Sequence, residues 1–165
     1  MTTLHRITTR YDAVEDRIGL TGEVTSGETL VIWLTRPLLN QLVTHLVQWV
    51  EKQQPDMLRA DMLLSFAQEA AQNAQIVQPP VVAQQQSRHW MARDINISPQ
   101  PGQICLTFRG GADEQAVLFL AATPLRQWLG ILHRGYRSAG WPLQAWPTWI
   151  LEAATPPNPV AVVLN

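Results

Sequence analysis

One feature limits the folds open to this chain more than any other. A hairpin-like strand pattern, an apolar strand and a proline-opened amphipathic helix occur twice, in the same order. Ile18-Gly19-Leu20-Thr21 matches Ile104-Cys105-Leu106-Thr107, and Leu30-Val31-Ile32-Trp33 matches Val117-Leu118-Phe119-Leu120 across a loop one residue longer in the second copy. Pro37-Leu38 then matches Pro124-Leu125, Leu42 matches Leu129 and Trp49 matches Tyr136. Strand-to-helix junctions in general favour apolar residues followed by Thr-Pro, so part of the agreement is generic. Agreement over several elements in order predicts a duplication. A unit of about three strands and one helix has an apolar face too many to stand alone, and docking two units buries the surplus.

The expected fold is α+β: two similar antiparallel sheet-plus-helix (βββα-like) units related by a pseudo-twofold, with one extra helix inserted after the first unit. In the first unit, Leu4–Tyr11, Arg17–Val24 and Thr29–Leu34 are rich in β-branched residues or alternate in polarity. They are separated by the turn clusters Asp12–Asp16 and Thr25–Glu28. Beyond Pro37, Leu38, Leu39, Leu42, Val43, Leu46, Trp49 and Val50 recur at helical spacing. Asp56 suits the cap of the extra helix, with Met57, Leu58, Leu63, Leu64, Phe66, Ala67, Ala70 and Ala71 on its buried side. In the second unit, strands are expected over Trp90–Ser98, Gln103–Phe108 and Ala116–Ala121. A helix capped by Thr123 then follows and stops at Gly140 and Pro142. The resulting division is 1–74 for the first unit and extra helix, 75–87 for a Pro/Gln-rich linker, 88–140 for the second unit and 141–165 for a Trp/Pro-rich strap, all within one domain.

Charge and cysteine usage narrow the function classes. Only 15% of the 165 residues are charged, against about 25% in an ordinary globular protein, which leaves more apolar surface for something to cover. The net charge of −1 gives the whole molecule no strong pull toward a polyanion. Cys105 is the single cysteine, so no internal disulfide forms and a reducing, cytoplasmic setting is expected. Met1–Arg10 is too polar for a signal peptide, and no apolar run reaches the length of a membrane span.

Chemistry-bearing residues are scattered. His5, His45, His89 and His133 fit no zinc pattern, and Asp12, Glu15 and Asp16 lack the spacing of a calcium loop. Cys105 sits mid-strand without a charged neighbour, and Gly110-Gly111 opens no phosphate loop. No catalytic residue, metal ligand or cofactor is therefore nominated. Two groups remain. Trp141, Trp146 and Trp149, interleaved with Pro142 and Pro147, read either as a strap over the chain's own core or as an aromatic anchor for a protein partner. Arg126, Arg134, Tyr136 and Arg137 on the last long helix read either as its wet face or as a contact to single-stranded nucleic acid. The final pentad Val160–Leu164 suits addition to a sheet edge. The expected role is a non-catalytic protein-protein interaction or assembly protein. Single-stranded nucleic-acid binding is the alternative, and a small-ligand or enzymatic site between the halves comes third.

Overall fold

Alternating polarity and glycine turns set the strands first. The computed structural model describes residues 1–54, 59–151 and 153, and the main chain of 163–164. β1 (Thr2–Asp12), β2 (Arg17–Val24) and β3 (Thr29–Leu34) form an antiparallel meander that feeds α1 (Arg36–Lys52). α2 (Ala60–Asn73) comes next, then β4 (Arg88–Met91), β5 (Asp94–Gln100), β6 (Gln103–Arg109), β7 (Gln115–Ala121) and α3 (Ala122–Ala139). The short α4 (Thr148–Leu151) and β8 (Val163–Leu164) follow. The class is mixed α+β, as the patterning predicts. Gly27 (φ 87°) and Gly102 (φ 75°) supply the positive φ that the β2–β3 and β5–β6 turns need.

The strands form one curled sheet in the order β4-β3-β2-β1-β7-β6-β5. Its two end strands are consecutive pieces of chain. β4 pairs in parallel with β3, β5 pairs antiparallel with β6, and only Ala92 and Arg93 separate them. The Ala92 N–H donates to Trp33 O at 3.0 Å and the Arg93 N–H to Arg109 O at 2.7 Å. One stretch of chain thus changes partner mid-course, and the ends of the sheet are brought together. On the edge of β1 away from β2, Thr2–Leu4 pair in parallel with β7, while Ile7 and Thr8 pair with Leu164 and Val163 of β8. The rest of the C-terminal pentad lies outside the described residues.

Ile18, Leu20, Ile32 and Leu34 from one meander, and Ile104, Leu106, Phe108, Leu118 and Leu120 from the other, form one core cluster with the stripes of α1 and α3. Each leucine or isoleucine buried this completely contributes about 1.5–3 kcal/mol relative to exposure. The pairing register corrects the sequence alignment by one residue. Leu20 opposes Ile32 and Leu106 opposes Leu118, so the two hairpins are equally long, and an alignment by register sets Ile32 against Leu118, not Phe119. The expected cap Thr123 is also displaced: Ala121 occupies the cap position, and Thr123 lies inside the first turn.

α2 corrects another expectation. Its buried face is Leu64, Gln68, Ala71 and Gln72, whereas Leu63 and Phe66, expected inside, are exposed. Asp56, Met57 and Leu58 lie outside the described residues. The physical reason is the neighbour. α2 packs on α3, where the Gln68 amide donates to Arg126 O at 2.7 Å and the Gln127 amide donates to Ala71 O at 2.9 Å.

The segment after α2 crosses the back of the sheet. Arg6 bridges Glu23 and Pro79 O, both at 2.8 Å, and the Val81 N–H donates to Thr8 Oγ1 at 2.8 Å. Val81 and Thr8 are both buried. Thr8→Val leaves that amide buried without an acceptor. We expect a loss of about 1–3 kcal/mol in urea unfolding, and faster hydrogen exchange at Val81.

Candidate functional site

α3 carries most of the residues that the sequence singles out, and its two sides meet different surroundings. On one side is an aromatic cluster. Tyr136 is fully buried and donates its hydroxyl to Asn40 Oδ1 at 2.7 Å. Trp141 and Trp146 stand edge-on to its ring, with centroids 5.0 and 5.2 Å away. Trp141 Nε1 donates to Asp16 Oδ1 at 2.9 Å, and Trp149 Nε1 donates to Glu51 Oε1 at 3.1 Å. The structure brings Trp141, Trp146 and Trp149 together inside the chain's own core, 5%, 5% and 1% exposed. None offers an open indole face. The Tyr136 ring is likewise closed to a stacking base. Arg137 alone of the nucleic-acid candidates is exposed.

The other side of α3 meets α2 along a polar seam. Gly130 lies against the Gln72 amide, whose nitrogen is 2.7 Å from where a Cβ would sit. Gln68 Oε1, Gln72 Oε1, Arg126 Nη1 and Arg134 Nη1 are buried and make no hydrogen bond among the described residues. The Arg126 guanidinium lies 5.8 Å from the Trp149 ring centroid. Burial lowers the pKa of both Arg126 and Arg134, since desolvation disfavours the charged form.

With glutamines turned inward, α2 turns hydrophobes outward. Met62 is 57% exposed, Phe66 60% and Leu63 37%. Ile76 and Val77, just beyond the helix, are also exposed. The sequence does hold a signal for this. Gln68 and Gln72 fall four and eight residues after Leu64, on the stripe that ends up buried.

A separate feature lies between α1 and β5. A cavity of about 330 Å³ is lined by Leu38, Gln41, Leu42 and His45 from the helix and by Arg93, Asp94, Ile95 and Ile97 from the strand side. His45 Nδ1 lies 2.8 Å from Gln41 O. A carbonyl only accepts, so Nδ1 carries the proton and Nε2 is the acceptor of the neutral ring. Asp94 has a long, exposed contact of 3.4 Å with Arg109. Nothing local in the sequence joins these residues, because curling of the sheet brings β5 to α1.

No family model, no curated protein and no solved structure matches this chain. Among the described residues, no helix is long and apolar enough to cross a membrane.

Two titrating groups are tied to the aromatic cluster. The Trp141 indole and the Tyr11 hydroxyl both donate to Asp16 and hold its carboxyl below the usual range. His133 is 5% exposed, with its ring centroid 5.2 Å from that of Trp146. Burial, with repulsion from Arg137 and Arg134, pushes its pKa down from 6.5 to about 4. An unfolded chain therefore takes up a proton at this histidine below 6.5, while the folded chain does so only near 4. The contribution of His133 to stability is whole above 6.5 and is lost as pH falls toward 4. Thermal melts across this window should show a falling midpoint, and His133→Leu should flatten the slope. The Asp16 contribution is lost only at lower pH, so the variant isolates the histidine.

Proposed function

We propose that this chain is a non-catalytic interaction or assembly protein whose contact surface is the outer face of α2. The observation that carries the reading is the inverted polarity of that helix. Met62, Leu63 and Phe66 face outward while Gln68 and Gln72 are buried. A lone surface helix turns its apolar stripe to the core, and a contiguous apolar patch in water is the ordinary mark of a binding surface. Ile76 and Val77 extend the apolar character past the end of the helix. A second copy of the chain is the most economical partner, because a twofold contact lets one patch serve both sides. The nucleic-acid reading has less support, given a net charge of −1 and an enclosed Tyr136.

The reading of two βββα-like units related by a pseudo-twofold has its own support. The first strand of each unit pairs in parallel with the third strand of the other. Thr2–Leu4 lie beside Ala116–Leu118, and Arg88–Met91 lie beside Leu30–Trp33. Positions 86 apart hold equivalent places: Ile18 and Ile104 oppose Leu34 and Leu120. The buried residues Leu39, Leu42, Val43, Leu46, Val47 and Val50 of α1 correspond at that same interval to Leu125, Trp128, Leu129, Leu132, His133 and Tyr136, all buried on α3. In this reading α2 is the element added to the first unit.

Light scattering over a concentration series tests the interaction. The wild-type chain should associate, and the double variant Met62→Lys, Phe66→Lys should stay monomeric with unchanged circular dichroism, because both side chains are already in solvent. A wild-type chain that is monomeric throughout, with mass and melting midpoint indistinguishable from the variant, removes the self-association reading.

A further inference from the structure

At two places in the sheet a strand leaves its neighbour's edge to become a helix. β7 runs beside Thr2–Leu4 of β1 and then turns into α3 at Ala122. The main chain of β8 takes over the same edge of β1 at Ile7 and Thr8, in contact with α3. β3 runs beside β4 as far as Met91 and then turns into α1 at Arg36. The N–H groups of Ala92 and Arg93 point to opposite sides, to Trp33 O and Arg109 O, so β5 continues that edge and pairs with β6 on the other. Among the described residues, no strand takes over along β5. Unpaired N–H and C=O groups on an edge are a template for another strand. One such edge is filled by the chain's own C-terminal end, and the other is open.

The α1–β5 cavity lies along that open edge. Asp94 and Ile95 point to opposite faces of the strand, so both line one cavity only where it passes the main chain. Among the described residues its lining comes from α1 and residues 93–97 alone, with none from β6. The floor is Leu38 and Leu42 of α1 with Ile95 and Ile97 of β5. At about 330 Å³ the space is small for a whole ligand and suits the inward side chains of an added strand. In the two-unit reading the corresponding space between α3 and β1 is filled. Trp128, 86 positions after Leu42, donates there to Thr9 Oγ1 at 3.0 Å, and Thr9 opposes Leu20 as Ile97 opposes Leu106. The geometry points to a strand-accepting groove that takes an extended, β-branched apolar segment of a partner protein, paired antiparallel to β5. Its chemistry is read from the strand on the matching edge, since Val163 and Leu164 end the pentad Val160-Ala161-Val162-Val163-Leu164. That pentad is held at β1 of its own chain at a high local concentration, which leaves β5 to another protein. Pro99 bounds the strip, because proline offers no donor. The groove is separate from the outer face of α2 and does not depend on the self-association proposed there.

Fluorescence anisotropy and amide hydrogen exchange test the assignment, with the full chain and a fluorescent peptide of its own residues 159–165 as the probe. The peptide should bind saturably and slow exchange across residues 94–98 by about tenfold. The same peptide carrying Ala161→Pro, Val162→Pro and Val163→Pro cannot donate from those positions and should bind about tenfold more weakly. In the chain, His45→Trp changes an exposed residue on the rim, fills the groove from α1 and should abolish binding with unchanged circular dichroism. If that variant does not fold, the exchange pattern of the wild-type chain still decides. The proposal is overturned if the peptide does not bind, if the proline peptide binds equally well, or if protection falls on Ile7 and Thr8 instead, where the peptide would be replacing β8. Protection of residues 94–98 on raising the concentration of the chain alone makes a second copy the occupant and overturns it as well.

Discussion

The architecture depends on a single change of partner at Ala92–Arg93. An open sheet presents two rows of unpaired backbone groups at its edges. Here the chain runs beside β3 as far as Met91 and beside β6 from Asp94 onward, with hydrogen bonds from Ala92 and Arg93 bridging the change. The sheet must therefore curl, and curling defines an inner face. That face receives the stripes of α1 and α3, which explains why strand and helix residues form one core cluster. It also sets β5 beside α1, where the cavity lies, and β1 beside α3, where Trp128 sits. The place of the cavity follows from how the ends of the sheet meet.

Within that frame three of the tryptophans act as clasps. An indole buried without an acceptor for its N–H carries a desolvation cost. Trp128, Trp141 and Trp149 meet this by donating to Thr9, Asp16 and Glu51, partners 119, 125 and 98 residues away in sequence. Each bond fastens a late segment of the chain to an early one. Asp16 takes the indole of Trp141 and the hydroxyl of Tyr11 together, from the one non-glycine residue with positive φ among those described. A turn residue that reads as a solvated carboxylate in sequence is thus a structural acceptor.

The sequence foretold the elements well and their mutual placement less well. Strand alternation, glycine turns and helical stripes are local, and β2, β3, β6, β7, α1 and α3 lie close to where those signals put them. The one-residue slip in the sequence alignment has a physical cause. Leu30–Trp33 and Val117–Leu120 are apolar on both faces, so composition alone does not fix their phase, whereas the ladders to Leu20 and Leu106 do. In α2, hydrophobicity alone puts Leu63 and Phe66 inside. The spacing of Gln68 and Gln72 from Leu64 marks the stripe that is buried, but the groups on α3 that favour it, the Arg126 carbonyl and the Gln127 amide, lie far along the chain. The tryptophan cluster was visible as a cluster, but its acceptors were not. The cavity had no sequence signal, since Leu42 and Ile97 look like ordinary core residues until set beside Trp128 and Thr9.

That comparison locates where the chain has room to do something. Where the two halves agree, at the strand ladders and the helix stripes, the residues serve packing. Where they differ, packing is incomplete on one side. α2 lies on α3, engages Gln127 and leaves its own Met62 and Phe66 in solvent. α1 lacks such a cover, and Gln41, His45 and Arg93 lie around an open volume. In the proposed two-unit reading, Leu42 stands where α3 has Trp128, and both candidate surfaces are departures from repetition. Met62, Leu63 and Phe66 on α2, and Gln41 and His45 beside the cavity, stand outside the core cluster. Residues free of packing duty are the ones that recognition can use.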